Sequence, residues 1–426
     1  MQIVDKMFQE PATAYPADHS ATDDRRGEPG RRPALWSRRR ALGTLAAGIG
    51  ISVAGCLETD STVHDKRIDR QVDGEWQMEH GTKTNTRAVD VTGPGSEPAV
   101  AWRQPVSPAM SRADPIVTDG LVFEPAPAED ERVAIETATG EWSAVPNIDS
   151  SQDVVIGADD DGIYIAKYSR EEDFTVRANR TDGTNPRWEH QVQGWGLPRC
   201  SVSSDSLWLS LTEGEGPVYS IATAGGERQW QIDVPPQLTD SVAINEDTVA
   251  VPASPYLFVY DRSTRERQWY REFDADLTTQ PIVTPAGILQ GVESGTVAVF
   301  TDGTQTATIN PSGSAVWALA AVDEQAIIGT DNGVTVADAT SGEEIATIDG
   351  LGSGSQVTAG TDRIYVADTE SEALIAIDRA DFEVVWQYSL PDTPLGGPVL
   401  IDNTVIVRVV PTGENADGDG ELLALE

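Results

Sequence analysis

The chain has 426 residues, with 30 Lys and Arg against 69 Asp and Glu, for a formal charge of −39. A surface this acidic repels phosphates and anionic lipid headgroups, which excludes nucleic-acid binding as its business. The carboxylates are spread among apolar runs rather than gathered in a tail, and Lys6, Lys66, Lys83 and Lys167 are the only lysines, so the composition reads as a folded domain adapted to high salt.

Residues 37–56, SRRRALGTLAAGIGISVAGC, read as an export address. Arg38 and Arg39 stand ahead of an apolar stretch, Ala41 to Gly55, that is too short to span a bilayer. The stretch ends in Val53, Ala54, Gly55 and Cys56, small residues that admit a signal peptidase followed by a thiol that takes the lipid. The order of arginine pair, short apolar core and small residues before cysteine resembles a twin-arginine lipoprotein signal. Residues 1–55 are therefore expected to be a signal peptide and Cys56 the lipidated first residue of the mature protein. Residues 56–74 are polar without an apolar period and read as a tether, leaving 75–426 as the folded domain.

From residue 113 onward a pattern recurs about every 40 residues. Its first part is two apolar arms around Asp, Asn, Gly or Ser, as in ADPIVTDGLVF, SVAINEDTVAV and VTAGTDRIYVA, and eight such stretches follow one another. This is hairpin chemistry. Each hairpin but the last leads to a third strand, a polar turn and a short fourth strand. Trp142, Trp188, Trp230, Trp269 and Trp386 stand in that fourth strand in five copies, with Ile309 and Ile348 near the same place in two others. The eighth copy ends at its third strand, ELLALE, whereas the segment EPAVAWRQPV supplies an unassigned strand with Trp102. The expected architecture is all-β: an eight-bladed β-propeller of four-stranded antiparallel blades, closed by an N-terminal strand that completes the last blade.

The third strand IAIDRAD, the turns TATGEW and TSGE, and the recurring tryptophan resemble the quinoprotein-type, PQQ-like β-propeller family, including the propeller lipoproteins that assist outer-membrane protein assembly. Residues 75–95, EWQMEHGTKTNTRAVDVTGPG, resemble the lead-in of such proteins. For the family's enzymes the resemblance implies pyrroloquinoline quinone over a calcium ion on the axis, a catalytic Asp, Glu and Asn ligands, and often a vicinal cysteine pair. No such pair exists in this chain, whose cysteines are Cys56 and Cys200, and no long insertions build a cofactor pocket. A non-catalytic binding or scaffold module is therefore expected, without a cofactor, anchored to the membrane by lipid and holding a protein or cell-envelope partner. A quinone-dependent dehydrogenase and a calcium- or glycan-binding propeller are the alternatives.

Four further features belong to these readings. Asn415, Asp417 and Asp419 alternate before Gly420, a spacing at which a turn aims oxygens at Ca²⁺. His19, His64, His80 and His190 are scattered and suggest no metal pair. The sequon Asn179, Arg180, Thr181 reads as a turn open to glycosylation. Trp195 and Trp317 stand off the repeat position and are candidates for a surface or channel wall.

The charge makes a prediction of its own. Refolding of the domain in dilute buffer should fail or yield an expanded state, and molar salt should restore the compact form by screening the carboxylates. Circular dichroism and scattering across a salt series check it, and full stability at low salt would remove the salt-adaptation reading.

Overall fold

The computed structural model describes residues 74–106, 113–124, 134–148, 153–167, 173–182, 186–234, 238–352, 356–412 and 420–426, with the side chains of Asp173, Trp195 and 213–215 excepted. Residues 1–73, which hold the signal peptide with Arg38 and Arg39, Cys56 and all of the tether but Gly74, and the acidic turn with Asn415, Asp417 and Asp419, lie outside the described residues.

All secondary structure among the described residues is β, arranged as eight antiparallel blades. They occupy residues 116–143, 153–193, 195–232, 243–272, 282–309, 316–349, 356–389 and 399–425 and are numbered 1 to 8 in that order. Every hairpin read from the sequence is present as the first two strands of a blade. The expected closure is present too. Strand Val100–Val106 pairs antiparallel with Gly420–Leu425 and forms the outermost strand of blade 8. The first described strand and the last thereby share one sheet.

Alternation along each strand puts apolar side chains on both faces of a blade, so each blade is buried by its two neighbours. The buried hydrophobic residues accordingly fall into eight clusters, each spanning one pair of adjacent blades. The cluster between blades 1 and 2, for instance, joins Ile116, Phe123 and Ala134 to Val155, Ile163 and Ile165.

The recurring tryptophans tie these interfaces together. Trp102 of blade 8 donates its indole N–H to the carbonyl of Thr137 in blade 1 at 2.7 Å, and Trp188 of blade 2 donates to Thr223 in blade 3 at 2.7 Å. Each ring covers a glycine in the receiving turn. A Cβ on Gly140 would stand 2.5 Å from Trp102, one on Gly226 2.7 Å from Trp188, and one on Gly303 2.9 Å from Trp269. Those glycines have φ of 69°, 76° and 76°, a left-handed conformation that also favours glycine.

Strand pairing places the residues near the tryptophan position in two blades. In blades 5 and 6 the residues opposite the third strand where the others carry tryptophan are Ala307 and Ala346; Ile309 and Ile348 lie two residues further on. The next blade compensates for the second of these. Where blades 1, 3 and 6 carry Gly140, Gly226 and Gly342 in this turn and blade 4 carries Arg265, blade 7 has Phe382 at φ 61°, and it packs with Ala346 and Ile348 against the core shared by blades 6 and 7.

This exchange of bulk across an interface is testable by a double-mutant cycle. Ala346→Trp alone should overpack and Phe382→Gly alone should leave a cavity, each costing about 1–3 kcal/mol. The double variant should recover the tryptophan–glycine pairing of the other interfaces, with a coupling above about 1 kcal/mol in denaturant melts.

Candidate functional site at the propeller axis

The innermost strand of a blade has one edge facing the axis, with N–H and C=O groups that no neighbouring strand pairs. In this protein the segment 76–92 pairs them. Its carbonyls accept from the innermost strands in turn: Trp76 from Val117 N–H (2.9 Å), Gln77 from Ala158 (2.7 Å), Lys83 from Ile244 (2.7 Å), Thr84 from Val283 (3.1 Å), Thr86 from Ala321 (2.8 Å) and Arg87 from Ala359 (2.9 Å). The six donors are structurally equivalent. Each stands one residue ahead of the pair that closes its blade's first hairpin. Blade 3 is reached by an ion pair between Glu79 and Arg199, and blade 8 by Asn403 N–H donating to Thr92 (2.7 Å). The segment thus passes once around the axis in blade order as an inner belt. Asn85 takes the left-handed conformation at its turn and donates to the carbonyls of Ser241 and Pro281.

The belt carries charged side chains into the axis. Arg87 is buried at 3 % exposure. It donates through Nε to Val357 O (2.9 Å) and pairs through Nη1 with Asp114 at 2.7 Å. Asp114 in turn accepts from the N–H of Gly397 (2.8 Å). Gly397 is needed for space: a Cβ there would fall 1.5 Å from Arg87 Nη2. Arg87 Nη1 also lies 3.2 Å from His80 Nδ1, and His80 Nε2 lies 2.9 Å from Asp240 Oδ1.

Glu79, His80 and Asp240 have donor atoms within 4.8 Å of one another, the grouping of a metal site. The hydrogen bonds do not fit one. A guanidinium has only donors, so His80 Nδ1 must accept, and the single ring proton sits on Nε2 facing Asp240. A metal at Nε2 would need either an imidazolate or two donors opposed across 3.2 Å. The cluster is instead a charge network.

Its electrostatics are consistent with that description. Burial pulls the His80 pKa down, the Asp240 and Glu79 carboxylates pull it up and prevail, and Arg87 opposes a second proton. Asp240 is held below the usual carboxylate range: burial raises it, but His80, Arg199 and the Ser241 N–H outweigh burial. Glu79 is pushed up, chiefly by burial, with Arg199 opposing. Three carboxylates, Glu79, Asp114 and Asp240, thus face two guanidinium groups, Arg87 and Arg199, and the His80 imidazole.

Sequence reasoning missed this network. His80 and Asp240 are 160 residues apart, and acidic residues are so frequent that no pairing stands out. The equivalence of Asp114 and Arg199, each three residues ahead of the belt-facing position in its blade's inner strand, was the available signal. Cys200 is buried and free, its Sγ donating to Ile156 O (2.9 Å), and burial raises its pKa, so the thiol is inert. The sequon reading is corrected: Asn179 ends a strand and is buried at 1 %, out of reach of a glycan-transferring enzyme. Trp195 opens the inner strand of blade 3, and Trp317 is 41 % exposed on the inner strand of blade 6, in keeping with a surface role.

Residues 214–330 and 330–426, together half of the chain, match the family model described as outer membrane protein assembly factor BamB. The chain belongs to this family. No curated protein matches it in sequence. Among solved structures it is similar to BamB from Moraxella catarrhalis, at 14 % identity over 77 % of this chain and 99 % of that one, with a TM-score of 0.57. It is also similar to the quinohemoprotein alcohol dehydrogenase of Comamonas testosteroni, at 13 % identity over 83 % of this chain and 80 % of that one, TM-score 0.59. A computationally designed protein, Ika8, matches at 14 % identity over 79 % and 99 %, TM-score 0.59. At these identities the likeness is one of fold.

Removing one member of a buried charge network leaves its partners uncompensated. Arg87→Met should cost about 3–5 kcal/mol, because Asp114 keeps a buried charge. Arg103→Met, at the half-exposed 3.8 Å pair with Glu421, should cost less than about 1 kcal/mol. Thermal and denaturant melts of the two variants check the contrast.

Proposed function

We propose that this protein is a lipid-anchored, extracytoplasmic propeller of a salt-adapted prokaryote that acts as a non-catalytic binding or scaffold module. The observation that carries the reading is the inner belt. Segment 76–92 brings six backbone carbonyls and a paired charge network to the axis. The charged groups at the axis already face partners of opposite charge, and a closed ring displays its loops and outer strands rigidly. Membership of the BamB family supports a protein partner in the cell envelope. The lipid anchor at Cys56 and export through Arg38 and Arg39 rest on the sequence motif.

The experiment that tests the catalytic alternative is an absorbance and dye-reduction assay in high salt, with pyrroloquinoline quinone, Ca²⁺ and a panel of alcohols and sugars. We expect no stoichiometric cofactor and no turnover; turnover with bound quinone would overturn the proposal. The anchor is tested separately. Cys56→Ser should move the protein from the membrane fraction to the soluble one, and Arg38→Lys with Arg39→Lys should leave the precursor inside the cell. An unchanged membrane fraction for Cys56→Ser would remove the anchor.

A further inference from the structure

Five blades place a β-bulge at the same point of the outermost strand, just ahead of the residue at the tryptophan position. The bulged residue is Gln229 in blade 3, Gln268 in blade 4, Thr306 in blade 5, Ile345 in blade 6 and Val385 in blade 7. The blades act as internal controls for one another. A bulge at this site is built equally well from Gln or Thr, so the architecture does not call for an aliphatic residue in blades 6 and 7.

The aliphatic residues there are also not buried. Ile345 is 48 % exposed, Val385 43 %, and Val384, which takes the place of Arg267 in blade 4 and Gln305 in blade 5, 50 %. Outer strands are sheet edges, where natural proteins place polar and charged residues against unwanted pairing. Blades 6 and 7 are neighbours that share one core, so the departures from the repeat fall side by side. Single exposed aliphatics are ordinary; a departure confined to equivalent positions of two adjacent blades is not.

The surroundings say what would cover them. Exposed Glu343, Glu344 and Asp349 flank Ile345, exposed Asp381 and Glu383 flank the valines, and neither outer strand carries Lys or Arg. A second copy would bring the same carboxylates to the contact on a chain of charge −39, which like-charge repulsion opposes. We propose that the outer strands of blades 6 and 7 are a docking surface for a protein segment that presents aliphatic side chains flanked by Lys or Arg. This deepens the binding-module reading and rests on it.

The test uses the whole protein and two extended probe peptides, one alternating Val with Lys and one alternating Val with Glu. The Val/Lys peptide should bind in the molar salt that keeps the domain compact. It should bind at least ten-fold more weakly to the triple variant Ile345→Gln, Val384→Gln, Val385→Gln, which installs the residue type of blades 3 to 5 and should melt as the parent does. Three results would each overturn the proposal: equal affinity for parent and variant, equal affinity for the two peptides, or a parental dimer that the triple variant dissociates. Turnover with quinone would overturn the binding-module reading without moving these affinities, so the two fail separately.

Discussion

A ring of blades has two kinds of free edge, and how they are satisfied organises this molecule. The outer opening, between first and last blade, is closed by strand Val100–Val106 in blade 8. The inner edges are closed by the belt, whose carbonyls accept six equivalent backbone N–H groups. Both closures come from one continuous stretch of chain ahead of the repeats, so residues 76–106 fasten the ring first at its centre and then at its rim. Unpaired backbone groups lining a narrow axis would each cost a large part of a hydrogen bond, and a segment with no side-chain pattern of its own can still meet most of them because it offers main-chain carbonyls.

The axial charges follow from that closure. Once the belt crosses the axis, Glu79, His80 and Arg87 are brought beside Asp114, Arg199 and Asp240 from blades 1 and 3 and the approach to blade 4. Each charge has a partner of opposite sign, and the arginine on His80 Nδ1 turns a metal-like donor set into a hydrogen-bonded relay. Arg87 links the belt to blades 1 and 7 at once, through Asp114 and the carbonyl of Val357. The seam between blades 8 and 1 is bridged similarly by Arg408 and Glu124 and by the Gly397 N–H on Asp114. Ion pairs also join blades 3 and 4, through Arg262 and Asp205, and blades 6 and 7, through Arg379 and Asp323, while every interface between blades buries an apolar cluster.

The same repeat frame makes its exceptions informative. An alanine at the tryptophan position of blade 6 is answered by Phe382 in blade 7, which is packing and needs no further explanation. The aliphatic bulges at Ile345 and Val385 have no such answer among the described residues and are exposed. Departures resolved internally belong to the scaffold, and departures left at the surface belong to what the scaffold meets.

The sequence by itself determined the blade number, the hairpins, the docking tryptophans and the closing strand with Trp102, because turn chemistry and strand alternation are local and are repeated eight times. It also carries the export motif through Arg38, Arg39 and Cys56 as an expectation about the mature chain. Only the tertiary structure decided that 76–92 is a belt, that Ala307 and Ala346 rather than Ile309 and Ile348 replace tryptophan, and that Asn179 is buried. The same holds for the meeting of Glu79, His80 and Arg87 with Asp240. Backbone carbonyls bond without regard to residue type, a bulge shifts register by one residue without a sequence mark, and closing a ring juxtaposes residues that no local pattern relates.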